Sequence, residues 1–258
     1  MVQSWSEADL IAAFRTAGLV DGDLVLVHSA LKRLGAVTGG AEGVIDALLR
    51  TVGAAGTVAV PTHTWGTVNA RQPVFHQTLS PSIVGTLTNV FRARPDAMRS
   101  LHPTHSVAAI GARAAELVAG HECDRTPCAP TSPYGKLVTW GGKILILGVD
   151  LSCCTFFHGC EEWAKCPWLF TEPEPLYSIS AAGRVIHVPS YRHAPNNPRC
   201  YPALEAPLRA EGILQLTHLG DCPLLLLDAR RAAEWLVPRL RENPELIVTR
   251  ATASNISG

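Results

Sequence analysis

No apolar run in this chain approaches the roughly 20 residues that a membrane-spanning helix requires. The longest runs, Ile144 to Val149 and Pro223 to Leu227, are strand-sized. The opening MVQSWSEADLI has neither the basic n-region nor the apolar h-region of a signal peptide, so a cytoplasmic protein with no membrane partner is expected. Charge of neither sign prevails. Lys plus Arg is 22 and Asp plus Glu is 22, which argues against a nucleic-acid partner, since binding to phosphates needs a basic excess. The phosphate-loop pattern G-x-x-x-x-G-K-[ST], the dinucleotide pattern G-x-G-x-x-G and the hydrolase elbow G-x-S-x-G are all missing. Eight cysteines are present without one C-x-x-C pair, so a structural zinc site lacks its usual spacing and no metal is expected. Cys153, Cys154, His158 and Cys160 crowd together, yet match no common ligand pattern. Free, mostly buried thiols are the default in a reducing compartment.

What is present reads as a folded α/β chain. Hydrophobic residues make up 47% and charged residues 17%, too apolar for a disordered segment. Ser6 is placed to cap a helix that Gly18 ends. Leu24 to Val27 reads as a buried strand, Ala41 to Val52 as a helix and Thr57 to Val60 as a second strand, together a βαβ-like unit. Further helices are expected over Ile83 to Arg94 and Ala112 to Ala119, with a strand at Val107 to Ile110 between them. Asp124 to Gly135 reads as a proline-rich loop, and Lys143 to Val149 as the strongest strand. Leu176 to Val188 alternates around Ala182-Gly183 as a hairpin, followed by a long loop over Ser190 to Tyr201. A short helix at Leu204 to Ala210, strands at Ile213 to Leu219 and Pro223 to Leu227, and a helix from Asp228 to about Val237 complete the reading. Pro238 is expected to interrupt or kink that last helix, and 251–258 to fray. The expected fold class is α/β, a single domain over 1–258 with a central mixed sheet flanked by helices and a C-terminal part that is α+β.

Three segments could carry chemistry. Leu151 to Trp163 follows the strongest strand, where ligands gather in open α/β sheets. A helix starting near Thr155 and ending at Pro167 would put Thr155, His158 and Glu161 or Glu162 on one face, with Phe157, Cys160 and Trp163 opposite. That face holds a base, an acid to orient it and a hydroxyl. On spacing alone, a capping threonine and a surface His–Glu pair fit as well. Val27-His28-Ser29-Ala30-Leu31-Lys32 could present N–H groups and a cation to a phosphate, or be a plain strand-ending turn. Arg99 to Gly111, with His102, His105 and a run of small residues, could let a thin ligand approach the backbone, or simply pack.

Four separated stretches resemble the aminoglycoside 3-N-acetyltransferases, the acetyl-CoA-dependent antibiotic acetyltransferase family distinct from the GNAT fold. They are VHSALKRLGAVTGGAEGVIDALLRTVGAAGTVAVPTHTW (27–65), RSLHPTHSVAAIGARA (99–114), TSPYGKL (131–137) and KILILGVDLSCCTFFHGCEEWAKCP (143–167). The T-x-x-H-x-x-E element after an L-G-V strand is the most specific part. The resemblance implies an N-acetyltransferase with acetyl-CoA as co-substrate and an aminoglycoside as the small-molecule acceptor, hence a role in antibiotic resistance. It implies His158 as general base, Glu161 rather than Glu162 as its orienting acid, and Thr155 beside the thioester. His28, Ser29, Leu31, Lys32, Ser106, Val107 and Ala108 would cradle acetyl-CoA within a part, 1–170, that carries the catalytic motifs. Residues 171–258 would complete the acceptor side, where His63, Trp65, Glu162, Arg192 and His193 are the expected contacts. The loop SYRHAPNNPRCYPALE (190–205) departs from the family pattern. It offers Arg192 and Arg199 and no acid before Glu205. Those cations suit a smaller, anionic amine from a biosynthetic pathway, which is the alternative acceptor. A non-catalytic CoA-binding module and a metallohydrolase using Cys153, Cys154, His158 and His193 are readings from other classes. Oligomeric state and regiochemistry have no signature here.

Overall fold

The computed structural model describes residues 4–194 and 199–248. In chain order the strands are β1 (Ser4–Trp5), β2 (Leu24–Ser29), β3 (Ala36–Val37), β4 (Thr57–Pro61), β5 (Val74–His76), β6 (Met98–Arg99), β7 (Val107–Gly111), β8 (Lys143–Leu147), β9 (Glu174–Ile179), β10 (Val185–Ser190), β11 (Leu214–Leu219) and β12 (Cys222–Asp228). The helices are α1 (Glu7–Ala17), α2 (Gly40–Val52), α3 (Thr86–Ala93), α4 (Ala114–Val118), α5 (Pro133–Trp140), α6 (Phe156–Ala164), α7 (Glu205–Ala210) and α8 (Ala229–Glu242). Seven strands form a mixed sheet in the order β11-β12-β8-β2-β4-β7-β6, so the fold is α/β with a central mixed sheet flanked by helices. Strands β8, β2 and β4 run parallel at its centre, and the outer pairings are antiparallel. A three-stranded sheet, β10-β9-β5, contains the expected hairpin.

Both faces of the large sheet are covered, and residue parity shows it. Leu24, Leu26, Ala59, Ile144 and Ile146 join one core with residues of α5, α6 and α8. Val25, Val27, Val58, Val60, Leu145 and Leu147 join the other core with α1, α2 and α3. Side chains alternate between faces along a strand, so strands buried on both sides read as continuous apolar runs, as Leu24–Val27 does.

The ends of the elements account for most departures from the sequence reading. Helix α1 begins with a capping box: Asp9 N–H donates to Ser6 Oγ at 3.2 Å, and Ser6 N–H to Asp9 Oδ2 at 2.8 Å. Helix α3 starts at Thr86 rather than Ile83, after Gly85 at φ +124°. Helix α4 starts at Ala114 rather than Ala112. Gly111 at φ +127° turns the chain there, and a Cβ on it would meet Gly56 O at 2.3 Å. The expected loop 124–135 gives way at its end to α5, because Ser132 caps the helix and Pro133 takes the first helical position, where a missing N–H costs nothing. Helix α6 ends at Ala164, before Pro167, with Lys165 at φ +61° as its left-handed cap. Helix α8 carries Pro238 inside it and continues to Glu242. Its apolar face at Ala229, Ala232, Ala233, Leu236, Val237 and Leu240 stays packed, and tertiary packing outweighs the lost hydrogen bond. The tail 251–258 and the middle of the 190–201 loop lie outside the described residues.

Candidate active site

The parallel strands β2, β4 and β8 deliver their carboxyl ends to one edge of the sheet, and antiparallel β7 brings its amino end there. Pro61 pairs with Val107 and Ser29 with Leu147. His28 and Ser29 therefore end β2, His63 follows β4, His105 precedes β7, and the chain after β8 turns at Gly148 toward α6. Above this edge opens a cavity of about 1090 Å³. His28, Ser29, His63, Trp65, His105, Thr155, His158, Arg192 and His193 all line it, together with Ser152, Cys153, Glu172, Glu174 and Arg199.

At its wall, His158 Nδ1 lies 2.8 Å from Glu161 Oε2 and 2.8 Å from the Tyr201 hydroxyl. Tyr201 donates its own proton to Glu161 Oε2 at 2.8 Å, and Arg199 Nε donates to Glu161 Oε1 at 3.0 Å. Glu161 is wholly buried. Three donors converge on a carboxylate that water cannot reach, and Arg199 balances its charge. Because the carboxylate can only accept, the Nδ1 position carries the imidazole proton. Nε2 is thereby left with its lone pair, the state a general base needs. Tyr201 cannot compete as an acid: burial first, then Glu161, push its pKa up.

The neighbouring acid has a different role. Glu162 Oε1 takes the His193 Nε2 proton at 2.7 Å and the Cys128 amide at 2.9 Å. Burial raises the Glu162 carboxyl to about 8, against the opposing influence of the nearby Thr126 and of the Cys128 amide. The His193 ring stacks on His158 at 4.2 Å between centroids. Thr155 is the N-cap residue of α6, yet its side chain makes no capping bond. The Tyr134 hydroxyl contacts His63 Nε2 at 2.8 Å and lies close enough to the Thr155 side chain for the two to influence each other. His28 ends β2 with Nε2 buried and unbonded, and burial lowers its pKa to about 4.

Five expected positions do not line the cavity. Ser106, Val107 and Ala108 are fully buried in and beside β7. Val107 and Ala108 belong to opposite cores. Ser106 Oγ is engaged by Arg99 Nε and the Thr62 hydroxyl. None of the three lines the cavity. Leu31 packs against the α1–α2 core, and Lys32 is exposed on the short 3-10 turn beyond β2; neither lines the cavity. Both loop cations are paired with acids. Arg192 is bonded to Glu174 at 3.2 Å and to the Trp65 carbonyl, and Arg199 to Glu161. Cys153, Cys154, His158 and Cys160 do not converge on a metal-sized point among the described residues. Tyr201 and Tyr134 were not legible as site residues in the sequence. They reach the site from other elements, and no local spacing ties them to α6. His105 belongs to a motif that stood out, but only the antiparallel course of β7 turns it toward the cavity.

The sequence profile of the family described as aminoglycoside 3-N-acetyltransferase matches residues 26–241. The chain belongs to that family. It is 38% identical over 167 residues to aminoglycoside N(3)-acetyltransferase VII of Streptomyces paromomycinus, an alignment covering 58% of each protein. It is 27% identical over 267 residues to aminoglycoside N(3)-acetyltransferase VIII of Streptomyces fradiae, covering 90% of this chain and 91% of that protein. Among solved structures, the CoASH-bound AAC-IIIb is 26% identical, with a TM-score of 0.81 over 97% of this chain and 100% of the other. The chain thus spans about 58% of the first of these relatives and nearly all of the other two. No helix among the described residues is long and apolar enough to cross a membrane.

Proposed function

We propose that the chain is one acetyltransferase domain moving an acetyl group from acetyl-CoA to an amine of an aminoglycoside, with His158 as general base. The observation that carries this reading is the buried His158–Glu161–Tyr201–Arg199 cluster at the wall of the cavity. An aliphatic ammonium has no lone pair, so attack on a thioester requires its proton to leave first. His158 Nε2 takes that proton, and Glu161 stabilises the imidazolium while holding the ring's tautomer. The amine nitrogen then bonds to the acetyl carbon, and the oxyanion that develops meets the Thr155 hydroxyl, close to Tyr134. Collapse breaks the C–S bond as the proton on His158 passes to the departing thiolate; His158 then takes the second proton from the acylated nitrogen and releases it to solvent, leaving a neutral amide. His28 and Ser29 form the end of the cavity nearest Lys32, where a phosphate would be met as by a point charge. Glu172 and Glu174 offer carboxylates to acceptor ammonium groups, with Trp65, Arg192 and His193 around them.

The membership of the family and the similarity to a CoASH-bound neighbour support the co-substrate. The zero net charge keeps the smaller amine as the alternative acceptor. The test is thiol release from acetyl-CoA across a panel of aminoglycosides and small amines, some of them bearing carboxylates. Release with aminoglycosides supports the reading, and release only with anionic amines would replace the acceptor while leaving the chemistry.

A further inference from the structure

Behind His193 lies a group of donors that acetyl transfer does not use. Cys128 is fully buried on the loop before α5. Its thiol, a carboxylate oxygen of Glu162 and a ring nitrogen of His193 all lie within 4.8 Å of one another, the one such trio among the described residues. The Glu162 and His193 side chains are only 4% and 8% exposed, so the trio is held by packing and not by chance on a mobile surface. Glu162 Oε2 is buried and meets no donor at hydrogen-bond geometry, although Thr126 stands close enough to influence the carboxyl. An orphaned carboxylate oxygen in a closed site is unusual, because a buried acceptor without a donor loses its hydration and gains nothing in return.

We propose that Cys128, Glu162 and His193 bind a zinc ion, and that the bound ion inhibits acetyl transfer through His193. One sulfur, one nitrogen and one oxygen are a donor set that Zn²⁺ accepts and Mg²⁺ does not. Three protein ligands leave a fourth position for water. Zinc–ligand distances of about 2.0–2.3 Å put tetrahedral donor atoms roughly 3.3–3.6 Å apart, so donors already within 4.8 Å of one another need to draw together by at most about 1.5 Å, which side-chain rotation supplies. His193 lines the cavity, so the ion has a path in. Charge and protons balance without redox change: the S–Zn bond forms as the thiol proton leaves for solvent. His193 exchanges its Nε2 proton for one on Nδ1, and Glu162 binds as carboxylate. The His193 ring stacks on His158 at 4.2 Å. Drawing His193 onto the ion pulls its ring from the stack that positions His158 at the cavity wall, so the bound ion displaces the base from its working geometry. This second clause rests on the acetyl-transfer reading; metal binding does not.

Titration of the purified chain with Co²⁺, a spectroscopic stand-in for Zn²⁺, tests the site without any activity assay. The expected result is one Co²⁺ per chain with a thiolate-to-cobalt charge-transfer band, erased by Zn²⁺ and unaffected by Mg²⁺. Cys128→Ser removes the band and lowers zinc affinity at least tenfold. Cys153→Ser, which alters an exposed thiol, changes neither. Should Cys128→Ser fail to fold by thermal melting, Glu162→Gln is read instead and weakens binding similarly. No band in the unaltered chain, or a band that survives Cys128→Ser, overturns the site. In the thiol-release assay, zinc inhibits the unaltered chain and spares Cys128→Ser. A cobalt band with no inhibition overturns the inhibitory clause alone. A chain that acetylates nothing defeats the acetyl-transfer reading, while the spectrum still decides the site.

Discussion

Replacing Glu161 by Gln changes one atom and should remove both catalysis and much of the local stability. The amide presents an NH₂ where Glu161 Oε2 now accepts from His158 Nδ1 and from Tyr201. An amide that donates to Nδ1 forces the imidazole proton onto Nε2, which leaves no base facing the acceptor. The comparable tautomer inversion in a serine protease triad costs about 10⁴-fold in turnover. Here Tyr201 could still fix part of the population, so the expected loss in kcat is on the order of 10²–10⁴-fold. The same change leaves Arg199 buried, at 9% side-chain exposure, without its counter-charge. Breaking a buried pair costs roughly 3–5 kcal/mol. For a chain of this size that is a fall of about 6–20 °C in melting temperature. Steady-state thiol release and thermal unfolding of the same preparation measure the two effects. A Glu161→Gln enzyme within tenfold of the unaltered turnover would refute the tautomer argument, whatever its melting temperature.

Other outcomes follow from the paired cations and the buried rings. Arg192→Met releases Glu174 to acceptor ammonium groups, so KM for a polycationic acceptor should fall severalfold, the scale of a half-exposed ion pair of about 1 kcal/mol, with kcat unchanged; a raised KM would show that Arg192 itself positions the acceptor. His28, His63, His102, His105, His121 and His193 are all held below the ordinary histidine pKa, chiefly by burial. They stay neutral when folded and bind protons only when unfolded. Their stabilisation is therefore complete above pH 6.5 and lost as pH falls, by roughly 1.4 kcal/mol per pH unit for each histidine. Glu162, raised from 4.5 to about 8, acts in the opposite sense: its contribution is lost as pH rises between those values, and one group is outweighed by six. Denaturant melts from pH 7 to 4 should show a steep acid decline, and a flat profile down to pH 5 would contradict the neutral buried histidines.

Much of the fold was legible because it rests on local signals. Leu24–Val27 and Ile144–Leu147 are continuous apolar runs, as strands covered on both faces must be. Ser6 and Gly18 punctuate α1 from its own residues. Helix α5 was obscured because Ser132-Pro133 and Gly135 read as loop chemistry, and only the packing of Tyr134 and Leu137 makes the segment helical. The T-x-x-H-x-x-E spacing put Thr155, His158 and Glu161 on one face of a helix, and the contact between His158 and Glu161 is an i, i+3 pair that such spacing allows. Tyr201 lies 40 residues beyond Glu161, so its hydrogen bond is purely tertiary. The loop 190–205 showed its charges but not their partners. Arg192 and Arg199 look surplus in one dimension and are neutralised by Glu174 and Glu161 in three. Ser106, Val107 and Ala108 look approachable because they are small, and in the fold their side chains are buried in and beside β7.

The claim on which the account turns is that His158 Nε2 removes the acceptor's proton. Its most direct test is turnover of His158→Ala with acetyl-CoA and a responsive aminoglycoside, measured beside acetyl-CoA affinity. A loss of roughly 10²–10⁴-fold in kcat with co-substrate affinity preserved is the predicted result, whereas near-normal turnover in a folded His158→Ala protein would contradict it.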